Sequence, residues 1–288
     1  MEPFTLHTER RIPAMTTAYN FYKVEKKDAI AWVFLNRPEK KNAMGPDAWK
    51  EIIPIFADID ADDSIRAVII AGEGKDLSTG IDIMGMAPMI PTMKNWDMSA
   101  KGKVKLFKDI FPLQDAMTCV EKCSKPVICC FHGYSIGAAL DLGSACDIRL
   151  ASEDARISLR EAAVSFIADV GVLQRLPHIV GQGVTREMAF TAKFIDARRA
   201  KEVNLVNEVY PDKDALLKGA ESLALEIAQC APLAVQGAKE VLNFCRGQSI
   251  ADGLEYVAAR SAMILPSEDI AETMTAFMEK RPPVYKGK

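Results

Sequence analysis

An α/β fold with a strand-rich front and a helix-rich back is what this 288-residue chain predicts, on three observations. Short apolar runs of strand length recur through its first half, at Ala29 to Leu35, Ala67 to Ala71, Pro126 to Phe131 and Ile148 to Ala151. Helical periodicity lies between these runs and takes over almost completely from Thr185 onward. A hydrophobic share of 49% beside 26% charged residues is ordinary globular usage, enough to bury a sizeable core.

The elements follow in order. A polar leader, residues 1–18, precedes the core. The run AIAWVFL ends in the turn residues Asn36-Arg37-Pro38. Pro46 suits the first turn of a helix carrying Trp49, Ile52, Ile53, Phe56 and Ile59 at helical spacing, with a kink expected at Pro54. AVIIA is a second buried strand, closed by Gly72 and Gly74. From Ile83 to Met98, five methionines mixed with Gly85, Pro88 and Pro91 show no period and predict a mobile loop over a pocket; a core loop is the plainer reading. A helix from about Val104 to Lys122 leads into PVICCF, a third strand, and Ile148 to Ala151 is a fourth. Helices are then expected at Asp196 to Glu202, Asp212 to Gln229, Pro232 to Phe244, Ile250 to Leu265 and Ser267 to Glu279, with Asp212 and Ser267 as caps. This divides the chain into a core over residues 19–209 and a helical region over 210–288.

Composition removes several function classes. A net charge of -3 gives no electrostatic reason to expect nucleic acid or an anionic membrane as partner. No apolar stretch approaches bilayer-spanning length, and the leader has no hydrophobic segment of the secretory kind. Arg10-Arg11 gives the leader a trace of organelle-presequence character, against which Glu2 and Glu9 count, and the C-terminal Tyr285-Lys286-Gly287-Lys288 is no peroxisomal address. The expected compartment is the cytoplasm for a bacterial source, or an organelle matrix for a eukaryotic one. Seven cysteines, two of them consecutive at Cys129-Cys130 in an apolar run, read as small buried hydrophobes in a reducing setting. Cys119 and Cys123 have no second ligand pair, and with only His7, His132 and His178 in the chain neither a metal site nor a His-based triad is expected.

Carboxylates are the remaining chemistry. Asp141 sits in an apolar stretch just after Gly137-Ala138-Ala139, Glu161 lies in Leu159-Arg160-Glu161-Ala162-Ala163, and Asp169 precedes Val170-Gly171-Val172. Acids in apolar surroundings hold raised pKa values and can exchange protons near neutral pH. Each also has a structural reading: Asp141 as a buried helix cap, Glu161 as the partner of Arg160, Asp169 as the N-cap of the helix that follows. The small-residue turn at 137–139 enters a helix and leaves backbone N–H groups open to an anion, and Leu77-Ser78-Thr79-Gly80-Ile81-Asp82 is a second tight turn. Two turns giving one N–H each would clamp a carbonyl oxygen and stabilise an enolate. Small residues also serve plain helix-on-sheet packing, so the turns alone leave both readings open.

Taken together, several segments in this order and spacing resemble the crotonase, or enoyl-CoA hydratase/isomerase, superfamily over about Val24 to Lys280. They are Leu35-Asn36-Arg37-Pro38 with Asn42-Ala43-Met44, Ser78-Thr79-Gly80-Ile81-Asp82-Ile83, Lys125-Pro126-Val127-Ile128 with His132-Gly133, Ser144-Ala145-Cys146-Asp147-Ile148-Arg149, Leu173-Gln174-Arg175-Leu176-Pro177, and Phe277-Met278-Glu279-Lys280-Arg281. The resemblance implies a spiral of ββα turns, a helical C-terminal region that builds a homotrimer or homohexamer, and an acyl-CoA thioester as substrate, with coenzyme A part of that substrate and no other cofactor. It places the oxyanion hole on the backbone N–H groups of Thr79 and Ala138. Substrate or CoA contacts fall on Arg37, Lys41, Ser78, Gly80, Ile81, Asp82 and Gly137, with Phe277 and Lys280 reaching a neighbouring subunit's nucleotide. Solvated surface charge is the alternative for Lys40 and Lys41.

The acids select a branch of that family. Hydratases carry two glutamates at positions 141 and 161 and usually glycine at 169. The trio here, with 20 residues from 141 to 161 and 8 from 161 to 169, resembles the Δ3,5-Δ2,4-dienoyl-CoA isomerases. The resemblance implies Glu161 as base at C2, Asp169 as acid at C6 and Asp141 as a tuning group for the pair. Leu77 in place of the usual aromatic residue, and Gly137-Ala138-Ala139 in place of a glycine triplet, depart from the family pattern. An enoyl-CoA hydratase using Asp141 and Glu161 is the alternative activity, and a non-catalytic binding protein of the same fold a further one.

Overall fold

A computed structural model describes residues 19–86 and 99–288. The leader and residues 87–98 of the methionine-rich segment lie outside the described residues. Of the methionines that are described, Met84 is exposed and Met86 is buried in the core.

A six-stranded sheet runs in the order β1-β2-β3-β4-β6-β9. Its strands are β1 (Tyr22–Lys27), β2 (Ile30–Leu35), β3 (Ala67–Gly72), β4 (Val127–Phe131), β6 (Ile148–Ser152) and β9 (Glu208–Tyr210). β1 pairs antiparallel with β2, and every later pair is parallel. β2, β3 and β4 are nearly continuous apolar runs because both faces are covered, whereas β6 carries Arg149 and the edge strand β9 is Glu208-Val209-Tyr210. Ala31, Val33, Leu35, Val68, Ile70, Val127, Cys129 and Phe131 enter one core, while Ile30, Trp32, Ala67, Ile69, Ile128, Cys130 and Leu150 enter the other. Consecutive Cys129 and Cys130 therefore point to opposite faces, and both are free thiols.

The larger core is closed by α1 (Pro46–Ala61), α2 (Ala100–Lys122) and α3 (Ala138–Ala145). Helix α1 runs through Pro54, which lies on its exposed side; Ile55 rather than Ile53 joins Trp49, Ile52, Phe56 and Ile59 inside. Every residue of α3 is buried, and Gly143 lies on the Phe131 ring, where a Cβ would come within 2.3 Å of Cζ. A small sheet of β5 (Tyr134–Ile136), β7 (Arg156–Ser158) and β8 (Ile195–Asp196) lies beyond the end of β4. Helix α4 (Val172–Thr191), interrupted at Gly181 (φ 78°, ψ 165°), and α5 (Ala197–Glu202) complete this part.

The second face is covered by α6 (Lys213–Ala228) through Leu216, Ala220 and Ala224. The 209/210 division thus falls inside β9, and the helix that follows is integral to the sheet's packing. Helices α7 (Pro232–Cys245), α8 (Ile250–Ile264) and α9 (Glu268–Glu279) follow. Lys239 of α7 is 7% exposed at its side chain; its ammonium donates to Asp147 Oδ2 at 2.6 Å and Lys125 O at 2.9 Å, tying α7 to the starts of β4 and β6. Buried His132 has a fixed structural role: Nε2 accepts from Gly72 N–H at 3.1 Å, Nδ1 donates to Lys75 O, and burial lowers its pKa to about 4.

Candidate active site

Two turns meet at the carboxyl ends of β3 and β4. Ser78 and Ser135 form a parallel bridge, in which Ser78 N–H donates to Tyr134 O and Ile136 N–H donates to Ser78 O, both at 3.0 Å. The Ser78 hydroxyl donates to Asn42 O at 2.7 Å and accepts from Gly80 N–H at 3.0 Å, so Ser78 holds the turn from inside. Gly80 has φ +87°, and a Cβ there would stand 2.7 Å from Ile136 O and 3.4 Å from Ala138 N. Only glycine lets the two turns approach this closely.

The open backbone donor of the first turn lies two positions beyond the expected one. Thr79 N–H donates to Lys41 O at 3.1 Å, which leaves it unavailable to a ligand. Met44 N–H donates to Gly80 O and Asp82 N–H to Met44 O, so Met44 bridges the turn around Ile81. Ile81 N–H has no acceptor among the described residues. In the second turn Gly137 N–H donates to Ser158 O, whereas Ala138 and Ala139, at the first positions of α3, have N–H groups without acceptors. Ile81 and Ala138, each with an N–H that has no acceptor among the described residues, line one cavity together with Gly80.

All three acids line one apolar cavity of about 160 Å³, together with Trp49, Leu113, Ile83, Val164, Phe166 and Ile167. Asp141 is 1% exposed. Its Oδ1 accepts from Val172 N–H at 2.8 Å, so the cap it supplies is for α4, not its own helix, while Oδ2 is buried without a partner. Glu161 Oε2 is likewise buried and unpartnered. Arg160 is not its ion-pair partner: the guanidinium donates to Ala192 O at 2.8 Å and lies over the Phe194 ring. Asp169 is not the cap of α4, whose N-cap is Gly171 (φ 123°). The outer side of Asp169 is exposed and its inner side borders the cavity.

Burial is the largest cause of a raised pKa at each acid. Asp141 rises to about 8, with Glu161 adding next and Asp169 less, against the opposing Val172 N–H and Arg175. Glu161 and Asp169 are also raised, Glu161 partly by Asp169. Three carboxyls that repel one another in apolar surroundings retain protons to higher pH and titrate as a set. Gly137 (φ +53°) lets Glu161 lie against the oxyanion turn, since a Cβ would meet Oε1 at 3.0 Å.

The residues expected at the nucleotide divide differently. Arg37 donates to Asp82 Oδ2 at 2.8 Å and to Ala43 O at 3.2 Å, and this contact holds the Asp82 carboxyl below its usual range. The pair buttresses the Ile81 turn. Exposed Lys41 lies over the Tyr134 ring at 5.0 Å, and exposed Lys40 flanks it. Phe277, 83% exposed, and Lys280 stand at the end of α9 and do not line this cavity. Among the described residues no cluster of three or more metal-ligating side chains occurs, and no helix is long and apolar enough to cross a membrane.

Some of the lining is unforeseen in the sequence. Trp49 reads there as an ordinary core residue of α1 and Leu113 as one of α2, because helical periodicity does not distinguish a core face from a pocket wall. The unpaired N–H of Ile81 depends on which neighbour Met44 bridges, a tertiary fact with no local signal.

Comparison with known proteins agrees with this geometry. A family model described as "Enoyl-CoA hydratase/isomerase" matches residues 25–288. A mitochondrial Delta(3,5)-Delta(2,4)-dienoyl-CoA isomerase of Dictyostelium discoideum is 44% identical over 94% of this chain and 92% of its own. A peroxisomal one of Arabidopsis thaliana is 36% identical over 93% and 98%. The crystal structure of an enoyl-CoA hydratase from Bacillus anthracis superposes with a TM-score of 0.84 at 28% identity, covering 93% of this chain and all of that one. With the fold, the paired turns and these matches in agreement, the chain belongs to the enoyl-CoA hydratase/isomerase family.

Proposed function

We propose that the protein is an acyl-CoA isomerase that converts 3,5-dienoyl-CoA to 2,4-dienoyl-CoA. The observation that carries this reading is the third acid: Asp169 borders the same cavity as Asp141 and Glu161. The thioester oxygen sits between the N–H groups of Ile81 and Ala138, where developing negative charge meets donors already in place. Glu161 removes the proton at C2. The electron pair spreads through C3=C4 and C5=C6 as a dienolate on the oxyanion. Asp169 delivers a proton to C6, leaving double bonds at C2 and C4 and carboxyls ready to exchange their protons. Asp141, neutral near pH 7 and one turn from the oxyanion site, keeps negative charge from accumulating between the other two. Electrons are neither gained nor lost, so side chains and backbone donors suffice without a further cofactor.

Relatives named for mitochondria and for peroxisomes favour an organelle matrix if the source is eukaryotic. A homotrimer or homohexamer suits the exposed apolar residues of α7 to α9.

The enoyl-CoA hydratase neighbours supply the second reading. Assaying 3,5-dienoyl-CoA isomerisation beside crotonyl-CoA hydration separates the two. Asp169→Asn is expected to reduce isomerisation at least a hundredfold, within the usual range for a general acid, with substrate binding largely kept. Rapid hydration without isomerisation in the unaltered protein, or full turnover in the variant, would overturn the reading.

A further inference from the structure

We propose that Gln114, on α2, is a positioning residue that aims Asp169 at the far end of the bound acyl chain. The inference rests on the isomerase reading and adds to it the element that sets the third acid.

Asp169 needs outside support. It belongs to the connection between the turn at Glu161–Val164 and helix α4, caps no helix, and receives no hydrogen bond from another residue's side chain at its carboxyl among the described residues. Its backbone, however, is held. Gln114 Nε2 donates to Asp169 O at 2.7 Å. Because the acceptor is a carbonyl, only the amide nitrogen of Gln114 can make this bond. The next carbonyl, Val170 O, lies 3.4 Å from Arg175 Nη1. Arg175 in turn donates to Thr118 Oγ1 at 3.2 Å and Glu121 Oε2 at 2.8 Å.

Gln114, Thr118 and Glu121 are spaced i, i+4, i+7 and so share one face of α2. That face presents a polar stripe to which residues 169–171 are fastened twice. Gly171 makes the second fastening possible, because a Cβ there would stand 1.8 Å from Arg175 Nη1. Leu113, beside Gln114 on the same helix, is a wall of the cavity. One rigid element therefore sets both the apolar wall and the acid. Glu161 has a separate support in the turn that it opens, and Asp141 stands on α3, meeting this segment only at its far end through Val172 N–H. Loss of the Gln114 bond releases the C6 acid and leaves the C2 base in place.

This asymmetry gives the test. Gln114→Glu is nearly isosteric and, when ionised, has no donor for the carbonyl; Gln114→Leu keeps bulk and has none at any pH. Each variant is assayed for dienoyl-CoA isomerisation and, in D2O, for deuterium uptake at C2 of recovered substrate. The expected result is a fall in isomerisation kcat of about tenfold or more, with KM within about twofold and C2 exchange retained. Unchanged kcat in both variants, or isomerisation and C2 exchange falling by the same factor, would overturn the proposal. An unaltered protein that does not isomerise the substrate would instead overturn the isomerase reading, before any variant is compared.

Discussion

Asp141 divides its two oxygens between architecture and electrostatics: Oδ1 caps α4 through Val172 N–H, and Oδ2 is buried without a partner. Its folded pKa near 8 lies above the ordinary 3.8. Between those values the folded state keeps a proton that the unfolded chain releases, so this residue's contribution to stability declines as pH rises from about 4 to about 8. Asp141→Asn retains a capping oxygen and cannot ionise. Its melting temperature relative to the unaltered protein is therefore expected to climb across that window, and melts at about pH 5 and about pH 8 check the sign. Asp141→Ala cannot ionise either and shares that trend, but it leaves Val172 N–H unpaired and is therefore expected to be about 1–3 kcal/mol less stable than Asp141→Asn at both pH values. The sequence makes a buried cap at Asp141 legible from its apolar setting. Which helix it caps is settled by α4 packing beside α3, which no local pattern encodes.

Lys239 shows how an element outside the sheet is held to it. Helix α7 is anchored at the sheet by a buried ammonium between Asp147 Oδ2 and Lys125 O, and Asp147 Oδ2 also accepts from Val127 N–H. Lys239→Met keeps the length of the side chain but leaves the carboxylate short of a partner, and a loss of about 1.5–3 kcal/mol in urea unfolding is the expected outcome. At this scale the legible elements are those with enough residues to show a period. β2, β3 and β4 read as strands because covering on both faces makes them nearly continuous apolar runs, β6 reads as one despite Arg149, and α6 to α9 read as helices from their spacing and caps. β1, YKVEKK, is missed because an antiparallel edge strand with charged side chains carries little apolar signal. β5, β7, β8 and β9 are two or three residues long, too short for any pattern to rise above background, yet three of them build the small sheet beside the site. In the site itself the acids and the second turn are legible by residue type and context. The shift of the first donor from Thr79 to Ile81 is not, since it is decided by the pairing of Lys41 and Met44 with a distant turn.

The last three helices carry several exposed apolar side chains. Ile250 is 85% exposed, and Leu242, Leu254, Met263, Met274 and Phe277 are exposed on the same three helices. Exposed apolar residues in this number on consecutive helices mark an interaction surface. Assembly into a trimer or a dimer of trimers would cover it and would bring to a neighbour Phe277 and Lys280, which are not among the residues lining the acidic cavity of their own chain. Leu254→Glu is accordingly expected to shift the mass measured by sedimentation from oligomer toward monomer. The placement of Lys280 has a sharper test in mixed assemblies. Lys280→Ala subunits have intact acids but deprive a neighbour of the cation, and Asp169→Asn subunits have the cation but lack the C6 acid. If Lys280 acts across the interface, dissociating and reassembling the two variants together restores turnover above the sum of the separate activities, because some acid-intact sites then face an intact Lys280. Activity equal to that sum would place Lys280 outside the neighbour's site and leave the apolar surface as the sole reason for assembly.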